Sequence, residues 1–447
     1  MKDEVCVLSA SGQVGSGFSE ESFMKALESN PDVIGCDSGS TDSGPYCLGA
    51  GVSNKSKKAI KRDLRIMIRE GVKRGIPVLI GSAGTSGGKP HLEWTLAIVR
   101  EIAKEEGLHF KLASIEAELS KDQLRKYMRA GKVHPLAPAP EFGEKELEST
   151  ERIVGVMGAD PYIEALKKGA NVVIAGRSSD TSIFAAVPIM EGLDCGATWH
   201  AAKILECGAA CVESRAYPDC VLAWIRKDSC SIEPPNPIMR CTPVSCVSHM
   251  LYENSNPFVL VEPSGTLHAE ESEYIAESDR RVRITGSRFE HAKQYTIKLE
   301  GVRKIGVRYM TLGAIRDPLI MRQLDNFLDG VKQSIYKKVE ASTGLKKDDY
   351  CLNIRVYGRE PGKVPYEVCI VIEAIAPADE DAKAVIGVAW HTALHHPIPE
   401  WSGLQSQLAF PFSPPSFRVG EAYQFCLNHI VDVDDPLELF PITYEDL

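Results

Sequence analysis

Three apolar runs in the first half of the chain each end in a cluster of Gly, Ser, Thr and Asp. Val33-Ile34-Gly35-Cys36 leads into Asp37-Ser38-Gly39-Ser40-Thr41-Asp42-Ser43-Gly44. Pro77-Val78-Leu79-Ile80 leads into Gly81-Ser82-Ala83-Gly84-Thr85-Ser86-Gly87-Gly88. Val172-Val173-Ile174-Ala175 leads into Gly176-Arg177-Ser178-Ser179-Asp180-Thr181. Each run has the length of a strand buried on both faces, which is the mark of a parallel sheet. In such a sheet the strand ends converge on one crevice, and ligands bind there. Small residues let backbone amides approach a ligand, and hydroxyls and helix N-termini favour an anion.

The rest of the first half keeps the same alternation. Strands are expected at 5–10, 77–80, 110–115, 153–157 and 171–175, with helices at 19–29, 57–74, 90–107, 120–130, 160–168 and 180–190. Ser19 and Ser120 are placed to cap their helices, and Pro90 suits a first turn. The four prolines of 131–144 mark an irregular crossing loop. This order predicts a doubly wound, mostly parallel, Rossmann-like α/β domain over 1–220, with right-handed crossovers. Beyond Ala216 the pattern is lost. Residues 216–261 read as a connecting region with one short helix at 243–252. Two β runs, 294–300 and 304–314, follow around a turn at Gly301, then a helix at 317–341, strands at 352–357 and 367–376, and a helix at 379–394. That ββαββα order predicts an α+β domain over 221–447, an antiparallel sheet with helices, and its last fifty residues read as a wrapping tail.

A chain of 447 residues with 44% hydrophobic and 25% charged residues is ordinary for a globular protein. A formal net charge of −10 argues against nucleic acid as a partner. No apolar stretch approaches the ~18–20 residues of a membrane span, and the first residues lack a secretory signal pattern. Thirteen cysteines without a Cys-x-x-Cys pair are expected to be buried hydrophobes in a reducing, cytoplasmic setting.

Several residues carry candidate chemistry. Asp37 suits a general base, or Asp37 and Asp42 a divalent cation, although both also suit turn and capping roles. Ser38, Ser82, Gly84, Thr85 and Ser86 offer amides and hydroxyls for an anion, with Lys89 adding charge at the start of a helix. The loop lacks the Walker A spacing, and Gly12-x-x-Gly15-x-Gly17 reverses the dinucleotide fingerprint. Gly176, Arg177 and Ser178 offer a guanidinium that can grip a carboxylate or phosphate. Asp180, beside them, can act as acid or base or cap the next helix; Glu116 is a third acid–base candidate. His391 and His395 share a helix face, but a helix C-terminus also favours imidazolium. Cys207, Cys211 and His200 suit a metal or nucleophile, with buried packing the commoner role. No nucleophile elbow is present.

The run Ala170-Asn171-Val172-Val173-Ile174-Ala175-Gly176-Arg177-Ser178-Ser179-Asp180 resembles the strand–Gly-Arg–Asp motif of the acyclic terpene utilisation (AtuA-like) family. Leu205-Glu206-Cys207-Gly208-Ala209 is similar to its Leu-Glu-Cys-Gly-Ala helix. Tyr295-Thr296-Ile297-Lys298-Leu299-Glu300-Gly301, Gly313-Ala314-Ile315-Arg316-Asp317-Pro318 and Asp279-Arg280-Arg281-Val282-Arg283 also resemble family blocks. The resemblance implies catabolism of small organic acids or acyl-CoA esters, with a small companion subunit as a further implied partner.

These readings lead to an enzyme with a small anionic substrate, held by Arg177, the Ser82–Ser86 loop and Lys89, with Asp37, Asp180 or Glu116 moving a proton. A lyase of the hydratase/dehydratase type or an isomerase fits that arrangement. An NAD(P)- or nucleotide-dependent oxidoreductase and a non-catalytic subunit of a two-component enzyme are the alternatives. A homo-oligomer is expected; the cofactor is unknown from sequence, and no metal is assigned.

Overall fold

The structure is a computed structural model, and it describes residues 2–215, 217–252, 255–400 and 407–447. The chain forms two compact units, Met1–Val302 with Phe425–Leu447, and Arg303–Gln424.

The first unit is built on a ten-stranded mixed sheet. Five parallel strands form its centre, in the order Glu4–Ser9, Val33–Asp37, Val78–Gly81, Val172–Ala175 and Lys111–Ile115. Alternate residues of each strand enter different cores. Val5, Val7, Val33, Leu79 and Val173 pack on one face, with Tyr162, Phe184 and Trp199 from the helices Asp160–Lys167, Ser182–Met190 and Cys195–Leu205. Leu8, Ile34, Val78, Ile80 and Ile174 pack on the other, against Phe23, Leu64, Met67 and Val99 from Glu20–Leu27, Lys57–Arg74 and Lys89–Glu106. The strands therefore read as continuous apolar runs because both faces are covered by helices. Ser19, Ser56 and Ser120 each cap a helix by accepting from a backbone N–H of its first turn.

The outer half of the sheet is antiparallel, which the alternation in the first half of the chain did not signal. Val221–Arg226 pairs along Glu4–Ser9, and Ser229–Glu233, Val282–Thr285 and Glu273–Ala276 follow in turn. Ile442–Asp446 closes the opposite edge against Lys111–Ile115. Residues 221–233, expected to be a connection, are thus sheet strands, and the units divide after Val302 and before Phe425 rather than at 220. The strand at Arg152–Val156 does not join this sheet; it pairs antiparallel with Lys298–Val302. A separate three-stranded antiparallel sheet contains Val259–Glu262, Gly265–His268 and Arg288–His291.

Gly301 forms no turn. It lies within one strand, Tyr295–Ile315, because its bare Cα lets Leu427 pack at van der Waals range; an added Cβ would lie 2.8 Å from the Leu427 Cβ. In the second unit the chain runs through helices Pro318–Arg322 and Leu324–Thr343, the hairpin Cys351–Tyr357 and Val368–Ala376, and helix Asp379–His395. Phe327, Val331, Ile335 and Val339 of the long helix share a core with Val385, Ile386 and Ala389 and with the sheet residues Ile370 and Ile372. With 294–314 forming one strand, the expected ββαββα order becomes βαββαβ. The tail supplies a long strand, Ser416–Val433; residues 401–406 of it lie outside the described residues.

Candidate functional site

The C-terminal ends of Val33–Asp37, Val78–Gly81 and Val172–Ala175 are neighbours, so their loops meet. Ser38 N donates to Gly81 O at 2.9 Å, Ser82 N to Gly176 O at 3.0 Å, and Arg177 N to Gly87 O at 3.1 Å. Gly87 sits at φ 64°, and a Cβ there would lie 2.1 Å from Arg177 N, so no other residue permits this approach.

Most of the residues expected to hold substrate form a buried layer at this junction. Asp37 is 3% exposed. Its Oδ2 accepts from Gly39 N at 2.7 Å while Oδ1 has no hydrogen-bond partner. Burial, and then the Asp180 charge, push its carboxyl well above the usual range. Ser38 and Ser86 are buried with unpartnered hydroxyls. Ser82 Oγ accepts from Arg177 Nη1 at 3.1 Å and from Ser178 N at 3.3 Å. Ser178 Oγ pairs with Tyr162 Oη at 2.6 Å. Thr85 Oγ1 is taken up by Ser53 and Asn54, and Gly84 packs on His91. Gly176 packs against Ala117, where a Cβ would lie 2.7 Å from the Ala117 methyl.

Lys89 and Glu116 border this junction without a side-chain hydrogen bond to it among the described residues. The Lys89 side chain is exposed, and the N-terminus of its helix is already occupied: Glu118 Oε2 accepts from Lys89 N at 2.6 Å. That end of the helix meets the protein's own carboxylate. Glu116 follows the strand Lys111–Ile115, with its N–H on Pro441 O at 3.0 Å.

Beside the buried layer is a cavity of about 620 Å³ within the first unit. Of the residues expected to form the site, Arg177 and Asp180 line it. Lys203, Glu206, Glu262 and Lys298 line it too, although sequence reasoning assigned none of them a role. Arg177 is 7% exposed, and its Nε donates to Glu300 Oε2 at 3.0 Å. Nη1 donates to Ser82 Oγ, to Ser178 O at 2.7 Å and to Asp180 Oδ1 at 3.2 Å. Lys298 Nζ donates to the other Glu300 oxygen at 3.0 Å. Burial pushes the Glu300 carboxyl up, but Arg177 and Lys298 outweigh it and hold it down at about 2. Glu300 is therefore ionised, and it offsets one of the two cations that bond it.

The other carboxyls are shifted the opposite way. Glu262 ends the strand Val259–Glu262 at a tight hairpin with Gly265, and is 3% exposed. Its Oε1 accepts from Thr181 Oγ1, while Oε2 has no partner. Burial raises its pKa to about 7. Asp180, partly exposed on the cavity side, is raised as well, by burial first, with Arg177 opposing. Glu206, the residue that closes the helix Cys195–Leu205, is paired with Lys203, yet burial raises it to about 8. The turn after it is clamped by the N-terminal glycine loop. Gly208 has φ 57°, and a Cβ there would lie 2.7 Å from Gly12 N. The glycine at position 12 thus serves close packing on Cys207 and Gly208 rather than a nucleotide.

Lys298 and Glu300 stand two apart on one strand and so face one way, a signal present in the sequence. The surroundings of Glu262 left no such trace. The His and Cys candidates are dispersed. His200 pairs with Ser287 and Tyr274, and Cys211 lies 3.9 Å from Cys241. His391 and His395 are exposed with ring centroids 5.2 Å apart, and they join no larger group of metal-ligating side chains among the described residues. Among the described residues, Glu206, Cys207 and His249 place donor atoms within 4.8 Å of one another. No described helix is long and apolar enough to cross a membrane.

A family model described as "Acyclic terpene utilisation family protein AtuA" matches residues 7–217. No curated protein and no solved structure matches the chain. The matched segment contains all three strand-end loops, Arg177, Asp180 and the Glu206–Cys207 turn, and over it the chain is similar to the acyclic terpene utilisation (AtuA-like) family.

Proposed function

We propose that the chain is an enzyme of small organic acid or acyl-CoA catabolism that moves a proton on a substrate anchored by its anionic end. The observation that carries this reading is a pairing of opposites in one cavity. Arg177 supplies a buried guanidinium whose Nη2 meets no internal acceptor among the described residues, and Glu262 supplies a buried carboxyl poised near neutrality. A carboxyl with a pKa of about 7 can both take and return a proton at physiological pH, which an ordinary glutamate cannot do efficiently.

In this reading the substrate anion meets Arg177 and Lys298, whose combined charge exceeds that of Glu300 by one. Asp180, already bonded to Nη1, keeps the guanidinium oriented. Glu262 then abstracts or delivers a proton at a carbon of the anchored substrate. That chemistry serves hydration, dehydration or double-bond migration, so the reaction class is a lyase or an isomerase. The similarity of residues 7–217 to a terpene utilisation family agrees with branched, unsaturated acids or their thioesters as substrates.

The test is solvent isotope exchange. The purified chain is incubated in D₂O with a panel of branched unsaturated acids and their CoA thioesters, and deuterium uptake is followed by NMR. Uptake into at least one compound, abolished in Glu262→Gln and reduced at least 100-fold in Arg177→Met, is the expected result. Exchange that survives Glu262→Gln unchanged would refute the assignment.

A further inference from the structure

We infer that Glu206, Cys207 and His249 form a binding site for one divalent ion of the zinc type. The site lies where two elements of the first unit meet: the turn that ends the helix Cys195–Leu205, and the last turn of the helix Pro243–Met250. One donor atom from each residue falls within 4.8 Å of the other two. Metal–ligand bonds of about 2.0–2.3 Å place the donors of a tetrahedral ion roughly 3.5 Å apart. Small side-chain rotations, about 1 Å at each donor, are enough to close the set.

The second observation is independent of that clustering. His249 is 7% exposed, and its Nε2 is buried without a hydrogen-bond partner. A buried ring nitrogen with no partner is costly, and histidines in cores are ordinarily satisfied on both sides. An ion supplies the missing partner. The donor set is also selective. A thiolate, an imidazole and a carboxylate together suit zinc, whereas magnesium and calcium take oxygen donors.

An entry path and a free coordination position follow from the surroundings. Cys207 and His249 line a cavity of about 600 Å³, together with Ser245, Ser248 and Tyr252. Glu206 is in the wall of the cavity that holds Arg177 and Glu262. Lys203 holds one Glu206 oxygen, Oε1, and leaves the other for the ion. Three protein donors leave a fourth position, the pattern of a zinc ion that also meets water or substrate. Neither Cys211 nor His200, the partners that spacing alone suggests for Cys207, belongs to the set.

The experiment reads metal content and needs no turnover, so it stands or falls apart from the proton-transfer reading. The full chain is stripped with a chelator, reloaded with Zn²⁺ or Co²⁺, and dialysed. One zinc per chain is expected by elemental analysis. The Co²⁺ form should show a thiolate-to-metal charge-transfer band and intense visible bands of four-coordinate cobalt. The charge-transfer band should vanish in Cys207→Ser. Zinc affinity should fall at least tenfold in His249→Phe, and His249→Cys should restore it with a shifted cobalt spectrum. Circular dichroism on every variant separates metal loss from unfolding. Substoichiometric zinc in the wild-type chain would overturn the site, and so would folded Cys207→Ser and His249→Phe variants that bind it as tightly as wild type.

Discussion

Glu300 is the residue on which the position of Arg177 depends, and Glu300→Gln tests that dependence. Wild-type Glu300 is 5% exposed and bonded to both Arg177 and Lys298. Its pKa falls from 4.5 to about 2, so at neutral pH its ionisation stabilises the fold by about 3 kcal/mol. Breaking a buried pair at one partner leaves the other charge uncompensated and costs ~3–5 kcal/mol, which agrees with that figure. The glutamine keeps shape and one acceptor but removes the charge. For a unit of this size that loss corresponds to a drop in Tm of roughly 5–8 °C at pH 7. The pH dependence carries the sign. A depressed carboxyl stabilises above its unfolded pKa, and the benefit is lost as pH falls through the folded value. The gap between wild type and Glu300→Gln should therefore be constant from pH 8 to pH 5 and narrow below about 4.5. Thermal unfolding followed by intrinsic fluorescence across that range measures it. A variant within 1 °C of wild type at pH 7, to within about 1 kcal/mol by the same conversion, would refute the reasoning that a buried ion pair holds Arg177.

Glu262→Gln should act in the opposite sense. Its raised pKa means that ionisation costs the folded state as pH rises from 4.5 towards 7, so the variant should be more stable at pH 8 by up to about 3 kcal/mol and equal to wild type below about pH 4. Chemical denaturation at the two pH values reads the difference. Gly87→Ala should lose several kcal/mol and yield little folded protein, since its Cβ would lie 2.1 Å from Arg177 N; solubility and circular dichroism report it. Lys89→Ala should leave Tm unaltered, within the ±0.5 kcal/mol of a surface change, because that side chain is exposed. Glu118→Gln should cost about 1 kcal/mol by weakening the contact at the N-terminus of the same helix. Equal effects of those two substitutions would contradict the placement of Glu118 as the partner of that helix end.

Much of the first unit is written in local pattern. Apolar runs of four or five residues, serine caps and glycine stops are properties of neighbouring residues, so 57–74 and 172–175 are legible as helix and strand without any fold. The strand-end rule also brings the Asp37, Ser82 and Arg177 loops to one place, because a parallel sheet leaves few other arrangements. What the pattern does not contain is which of these residues face open space. Asp37 is buried against Gly39 of its own loop, Ser82 bonds Arg177 and Thr85 bonds Ser53 and Asn54, whereas Arg177 and Asp180 reach the cavity.

The antiparallel half of the sheet shows the same division. Residues 221–233 carry strand residues among prolines and cysteines, and only pairing with Glu4–Ser9 makes them strands. Gly301 reads as a turn locally, yet packing of Leu427 against it keeps Tyr295–Ile315 extended. The chemistry of the site is the extreme case. Glu300 meets Arg177 across 123 positions of sequence, and Glu262 meets Thr181 across 81. No local window spans such distances. The amino-acid order by itself determined the central parallel strands, their helices and the rim on which they converge. Tertiary packing alone decided which carboxyls are buried, which are paired, and therefore which hold their protons at neutral pH, because desolvation and charge pairing depend on what surrounds a group in space rather than along the chain.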